Sequence, residues 1–160
     1  MDEWSAALRA PFAVLGVRTD AGAVTRVSYL PLATRARAPR DPVAERAVRE
    51  LERYLADPEF RFTVPLAPQG TPFQRRVWDA IAAIPRGESR TYLEIARSVR
   101  TAARAVGQAC GANRIALIIP CHRVVGTRGA LGGFMHRAAG DAIDIKRWLL
   151  AHEGYRFGLV

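Results

Sequence analysis

Cysteine is scarce in this chain: Cys110 and Cys121 are its two copies among 160 residues. That is too few for a disulfide framework, and with three histidines no cysteine/histidine cluster has metal-ligand spacing. Neither a disulfide-stapled scaffold nor a metal module is expected, and both thiols are expected to be reduced. Long apolar runs are missing as well. No stretch approaches the length needed to span a bilayer, and the opening MDEWSAALRA lacks the basic and then apolar regions of a secretory leader. The expectation is a soluble, unexported protein. Lysine is nearly absent too, since arginine supplies all but one of the 24 basic residues, which outnumber 15 acidic ones for a net charge of +9. Arginine's planar fork suits phosphate oxygens, so a polyanionic partner fits. A GC-rich genome yields the same excess, and the charge by itself is a hint about partners. The length suffices for a real hydrophobic core.

Two runs of β-branched and aromatic residues in FAVLGVRTDAGAVTRVSYLP flank Asp20-Ala21-Gly22, which predicts a hairpin with strands near 12–18 and 23–30. Asp41 as N-cap and Pro42 at the first helical position open a helix. Val43, Ala47, Leu51, Tyr54 and Leu55 recur at helical spacing until Asp57-Pro58. Phe60 to Val64 reads as a further strand. VPLAPQGTP, residues 64–72, is the expected domain boundary, dividing a small α/β domain, 1–68, from a mostly helical domain, 69–160.

In the second domain, Phe73, Val77, Ile81 and Ile84 share one helical face that Pro85-Arg86-Gly87 ends. Thr91 and Glu94 form a capping box for a helix from Tyr92 to about Val99. A third helix, AARAVGQACGAN, follows, with Thr101 able to cap it. Two short helices and a tight turn fit a helix-turn-helix, although such a pair is also a common packing unit without nucleic acid. A last helix is expected with Asp141 as cap, Ile145, Trp148 and Leu149 as its buried face and Gly154 as its stop. The apolar run IALII leads straight into Pro120-Cys121-His122. A cysteine there reads either as a small buried hydrophobe or as a nucleophile beside a base. In a regular strand Cys121 and His122 would point to opposite faces, so cooperation requires a turn or a bridging water.

PCHRVVG, preceded by TYLEIA and AARAVGQA and followed by KRWLLAHEG, resembles the O6-alkylguanine-DNA alkyltransferase family from the first hairpin to the last helix. The resemblance implies a ribonuclease-H-like first domain and a second domain carrying the helix-turn-helix. It implies a suicide repair protein, without cofactor, that flips an O6-alkylated guanine, and O4-alkylated thymine too, out of duplex DNA; the zinc site of some members has no matching cysteines or histidines in the first domain, so no metal is expected. The alkyl group moves onto Cys121, with His122 as base through a water and Glu153 orienting the imidazole. On the same resemblance, Asn113 ties the recognition helix to the active-site turn. Arg104 is the finger entering the minor groove between small neighbours Ala103 and Ala105, and Tyr92 donates a proton toward the departing guanine. Thr91 and Arg123 are further expected DNA contacts, and Val124, Phe134 and Met135 are expected to line the base pocket. A monomer in a bacterial-type cytoplasm is implied.

Two departures from the family bear on function. ARSVRTAARAV is two residues shorter than the usual helix-turn-helix connection and lacks its glycine and proline. The segment GGFMHRAAGDAID replaces a shorter glycine-rich run, so Phe134 lacks the usual hydroxyl and Met135, His136 and Arg137 stand where small residues are usual. His136 is read as a solvated loop residue and Cys110 as a packing residue. Competing functions are a lesion-binding sensor without transfer, a transcription regulator and a cysteine hydrolase. Sensors of this type lack the cysteine present here, no regulatory domain is visible, and nothing supports regeneration of the thiolate.

Overall fold

The computed structural model describes residues 4–127, 131 and 141–155. It is a mixed α/β chain that divides into two compact units, residues 1–69 with 114–118 and residues 70–113 with 119–160. The short segment 114–118, which the sequence reading left with the second domain, belongs to the first unit.

In the first unit β1 (Ala6–Arg9), β2 (Val14–Asp20) and β3 (Ala23–Leu30) form an antiparallel sheet in the order β1-β2-β3. Asp20 pairs with Ala23, so Ala21 and Gly22 make a two-residue turn with φ of 49° and 81°. That geometry is the primed turn that matches the twist of paired strands, and it needs left-handed backbone at both positions. Val14, Leu15 and Val17 of the central strand are fully buried. Helix α1 (Pro42–Ala56) starts as expected: the Asp41 carboxylate accepts from Ala44 N. Its buried face is Ala44, Ala47, Glu50, Leu51 and Tyr54. Val43 and Leu55 lie half-buried at the edge of that face.

The strand expected over Phe60 to Val64 is absent. The amides of Thr63 and Val64 donate at 2.9 and 3.0 Å to the buried Glu50 carboxylate, so that backbone is satisfied by a side chain instead of a neighbouring strand. A single bridge follows, between Leu66 and Val24. The 114–118 segment adds to β3 in the same manner: Val27 N donates to Arg114 O at 2.9 Å and Ala116 N donates to Val27 O at 3.1 Å.

The second unit holds α2 (Pro72–Ala82), β4 (Arg90–Thr91), α3 (Tyr92–Val99), α4 (Ala103–Gly111), β5 (Val124–Val125) and α5 (Asp141–His152). Two capping boxes open helices here. Thr91 and Glu94 form the expected one, and Thr71 and Gln74 form one the sequence reading passed over. Val77, Trp78 and Ile81 make the buried face of α2. The Trp78 indole donates to Ala109 O at 2.8 Å, and Arg76 donates to Val99 O at 2.9 Å, joining α2 to α4 and α3.

Between α3 and α4 the connection is tight, three residues with Arg100 in the left-handed region at φ 60°. Thr101 does not cap α4. Its amide closes α3 by donating to Ala96 O at 2.8 Å, and the cap position falls on Ala102, which has no side chain to serve it. In α5 the buried residues are Ala142, Ile145, Lys146, Leu149 and Leu150, while Trp148, expected inside, is half-exposed and stacks on His152 at 4.8 Å. Asp141, expected as the cap, is the first residue of the helix, and Gly154 follows its end at φ 88°.

Candidate active site

The chain does turn at the thiol. Pro120, at φ −83° and ψ 63°, centres an inverse γ-turn in which Cys121 N donates to Ile119 O at 2.8 Å. One turn of 3₁₀ helix, Cys121–Arg123, comes next and leads into the two residues of β5, which pair in parallel with β4. Cys121 and His122 therefore leave the backbone from a helical turn, which removes the opposite-faces objection a strand would raise.

All three expected members of the proton-handling group are buried, Cys121 at 6% exposure, His122 at 0% and Glu153 at 8%. Asn113, just past the end of α4, donates Nδ2–H bonds to Ile119 O at 3.0 Å and to Cys121 Sγ at 3.3 Å. His122 Nε2 lies 2.8 Å from Glu153 Oε2. A carboxylate accepts, so Nε2 carries the hydrogen and Nδ1 keeps its lone pair. Among the described residues Nδ1 is buried and has no hydrogen-bond partner.

Arg123 departs from expectation. Its guanidinium turns inward, donating to Glu153 Oε1 at 2.8 Å, to Glu153 Oε2 at 3.0 Å and to Ile84 O at 2.8 Å, with its side chain 14% exposed. It is a bidentate clamp on the glutamate and has little left for a DNA phosphate. Burial raises the Glu153 pKa, but the bonds and charges of His122 and Arg123 outweigh it and hold the carboxyl well below its ordinary range. Burial lowers the pKa of His122, with Glu153 opposing, so the imidazole is held neutral. Gly87 completes the packing around Glu153: at φ 79°, with an added Cβ only 3.0 Å from Glu153 O, this turn has room for glycine alone.

The sequence reading missed two groups. Lys146, the chain's one lysine, is fully buried in α5; its ammonium donates to Val124 O at 2.7 Å and sits 5.8 Å from the Tyr92 ring centre. Burial pulls its pKa down to about 8, opposed by the nearby sulfurs of Cys110 and Cys121. Cys110 is the second: together with burial it pushes the Cys121 thiol up, while Asn113 and the Lys146 charge pull the other way. Tyr92 is raised well above its ordinary value by burial and then by the two sulfurs, so its hydroxyl keeps its proton. No residue periodicity marks either group, because each acts across distant segments.

Of the other expected residues, Arg104 is exposed and Ala103 and Ala105 are half-exposed on the first turn of α4. The Thr91 hydroxyl is taken up by its capping bond from Glu94 N at 3.0 Å. Val124 is fully enclosed. Phe134, Met135, His136 and Arg137 lie outside the described residues, as does the side chain of Asp141.

A buried thiol and a neutral imidazole with a free lone pair, oriented by an ionised glutamate, can form a thiolate when substrate arrives. The family model for the DNA-binding domain of 6-O-methylguanine DNA methyltransferase matches residues 72–155, which span this site. A methylated-DNA–protein-cysteine methyltransferase of Methanosarcina acetivorans is 51% identical over 110 residues, 68% of this chain and 67% of that one. The constitutive enzyme of that name from Bacillus subtilis is 44% identical over 114 residues, 70% of this chain and 67% of that one. The crystal structure of Mycobacterium tuberculosis OGT in complex with DNA matches with a TM-score of 0.78 at 40% identity, covering 92% of this chain and 90% of that one. With the thiol, imidazole and carboxylate in one buried group and relatives matched over most of both chains, this chain belongs to the methylated-DNA–protein-cysteine methyltransferase family.

Proposed function

We propose that the protein repairs O6-alkylated guanine, and O4-alkylated thymine, in duplex DNA by moving the alkyl group to Cys121 once per molecule. The observation that carries the reading is the buried, unpartnered Nδ1 of His122, whose other nitrogen is fixed by Glu153. That lone pair takes the Cys121 proton through a bridging water. The thiolate attacks the alkyl carbon, the C–S bond forms as the C–O6 bond breaks, and the departing guanine receives a proton from Tyr92. The thioether on Cys121 is the end point of the reaction.

Base access requires flipping, since O6 inside a duplex is out of reach of the buried thiol. We assign the minor-groove contact to the helix-turn-helix of α3 and α4, with Arg104 filling the space of the flipped base beside Ala103 and Ala105. The charge distribution supports this assignment, because the second unit's sequence carries 13 basic and 6 acidic residues against 11 and 9 in the first. Val124, Phe134 and Met135 stay as the proposed pocket lining, and the first unit as a ribonuclease-H-like fold. The protein acts as a monomer in the cytoplasm. Phosphate contacts by arginine make DNA affinity fall with salt.

A sensor that binds lesions without transfer is the other reading, and the thiol held by Asn113 counts against it. Intact-mass spectrometry with peptide mapping after mixing with an O6-methylguanine duplex decides between them. One methyl group per molecule on Cys121, absent in Cys121→Ser, is the expected result. Tight lesion binding without mass gain would overturn transfer.

A further inference from the structure

Among the described residues three that are not glycine have a positive φ: Ala21, Arg100 and Leu117. Ala21 stands in the hairpin turn that demands it, and Leu117 is buried in the core at 3% exposure. Arg100 has neither reason. Its backbone, at φ 60° and ψ 56°, ends α3 in a conformation that glycine adopts without cost and a residue with a Cβ does not. The neighbouring backbone holds it there: Thr101 N donates to Ala96 O at 2.8 Å, and Arg76 Nη2 donates to Val99 O at 2.9 Å. Arg100 is exposed, and among the described residues its guanidinium has no hydrogen-bond, ion-pair or ring partner. Strain retained where glycine would relieve it points to a use of the side chain outside the fold.

The surroundings define that use. Residues 97–104, RSVRTAAR, include three arginines and no acid. Arg97, Arg100 and Arg104 are all exposed, in the last turn of α3, in the connection and in the first turn of α4. A partner for this turn carries negative charge, and the guanidinium fork matches phosphate oxygens. We propose that Arg100 binds a backbone phosphodiester of the duplex beside the groove that Arg104 enters, so that fold stability is lower and DNA affinity higher than with glycine in its place. The inference rests on the reading of α3 and α4 as the DNA-binding pair. Because the fork leaves a backbone already fixed on both sides, binding orders the side chain alone. A phosphate contact reads no base, so it strengthens the hold on damaged and undamaged duplex alike.

The full chain and its variants are titrated with an undamaged duplex over a series of salt concentrations, beside a thermal melt of each. Arg100→Gly is expected to melt at a higher temperature than wild type and yet to bind about tenfold more weakly at low salt, with the slope of log K against log salt smaller by about one. Arg100→Asn, which tolerates the left-handed backbone, is expected to lose the same slope, and Arg100→Lys, which keeps the charge, to retain it. An unchanged slope in Arg100→Gly overturns the proposal, and so does a lysine variant that loses as much slope as the asparagine one, since the turn and not the charge would then be at issue. Arg104→Ala separates the two readings. If it weakens binding where Arg100→Gly does not, the helix-turn-helix assignment stands and the Arg100 contact falls; if neither variant weakens binding, both fall. Undamaged duplex leaves Cys121 unalkylated, so the result is independent of alkyl transfer.

Discussion

Among the described residues each unit buries one glutamate, and the two are satisfied in opposite ways. Glu50, 7% exposed, spends its oxygens on the amides of Thr63 and Val64, the Thr63 hydroxyl and Arg46, partners that fix a length of backbone and have no proton to exchange near neutrality. Glu153, 8% exposed, is held by Arg123 and His122, and one partner has a second nitrogen left over. Burial and ionisation are common to both, since hydrogen bonds hold both carboxyls below their ordinary range against the pull of desolvation. A buried carboxylate thus marks a reactive centre only when its network ends in an unfilled, titratable atom. A network that closes on backbone marks architecture.

Substituting each glutamate breaks the comparison most sharply. Glu153→Gln leaves the Arg123 charge without its counter-ion and is expected to cost about 3 kcal/mol of stability, because removing one partner strands the other. It also loosens the imidazole, so methyl transfer per folded molecule should fall by about 100-fold or more, measured by single-turnover quench. Glu50→Gln is expected to cost about 2 kcal/mol through lost amide acceptors and to leave the rate per folded molecule unchanged. An equal loss of rate in both would mean that the second network is architecture too.

Acid should separate the units as well. His122 is held below its ordinary value of 6.5, so the unfolded chain takes up its proton first, and the stability owed to the neutral ring is complete above that pH and lost as pH falls through the lowered folded value. Glu153, lowered from 4.5, adds a second loss further down. Urea midpoints at descending pH should therefore fall in two stages, and His122→Asn should flatten the upper one.

Lys146→Met tests the charge beside the thiol. The buried ammonium titrates at about 8 against 10.5 when unfolded, so wild-type stability rises as pH climbs between those values, and the variant should lose that rise. Because burying the charge is costly, the variant is expected to be as stable as wild type or more so at pH 7, with transfer slowed about 10-fold by loss of the cation. The smallest effects come from the caps: Asp41→Ala should cost about 1 kcal/mol, and Arg100→Gly should gain about 1 kcal/mol by relieving the left-handed cap. Thermal melts of both variants check the pair.

Local chemistry was legible in the chain. Asp41-Pro42, Thr91 with Glu94, and Gly154 each speak to a neighbour three or four residues away, and the structure places each where the sequence puts it. Strand β1 was not legible, because Ala-Ala-Leu-Arg has no strand preference of its own and extends only by pairing with β2. The Phe60–Val64 strand failed for the converse reason, its amides being claimed by a carboxylate from α1. At the site, Cys121, His122, Glu153 and Asn113 came through the family resemblance. The inward turn of Arg123 and the burial of Lys146 depend on segments 30 and 22 residues away, a separation no spacing rule reaches.

That single buried lysine also fixes how the surface behaves toward pH and reagents. Every side-chain cation other than Lys146 and the histidines is an arginine, and guanidinium keeps its proton across any pH at which the fold survives. The arginine share of the attraction for a polyanion therefore persists in alkali, where a lysine-coated protein would gradually let go. Acylating agents find no lysine side chain on the outside, so this protein carries its positive charge in a form that amine chemistry cannot erase.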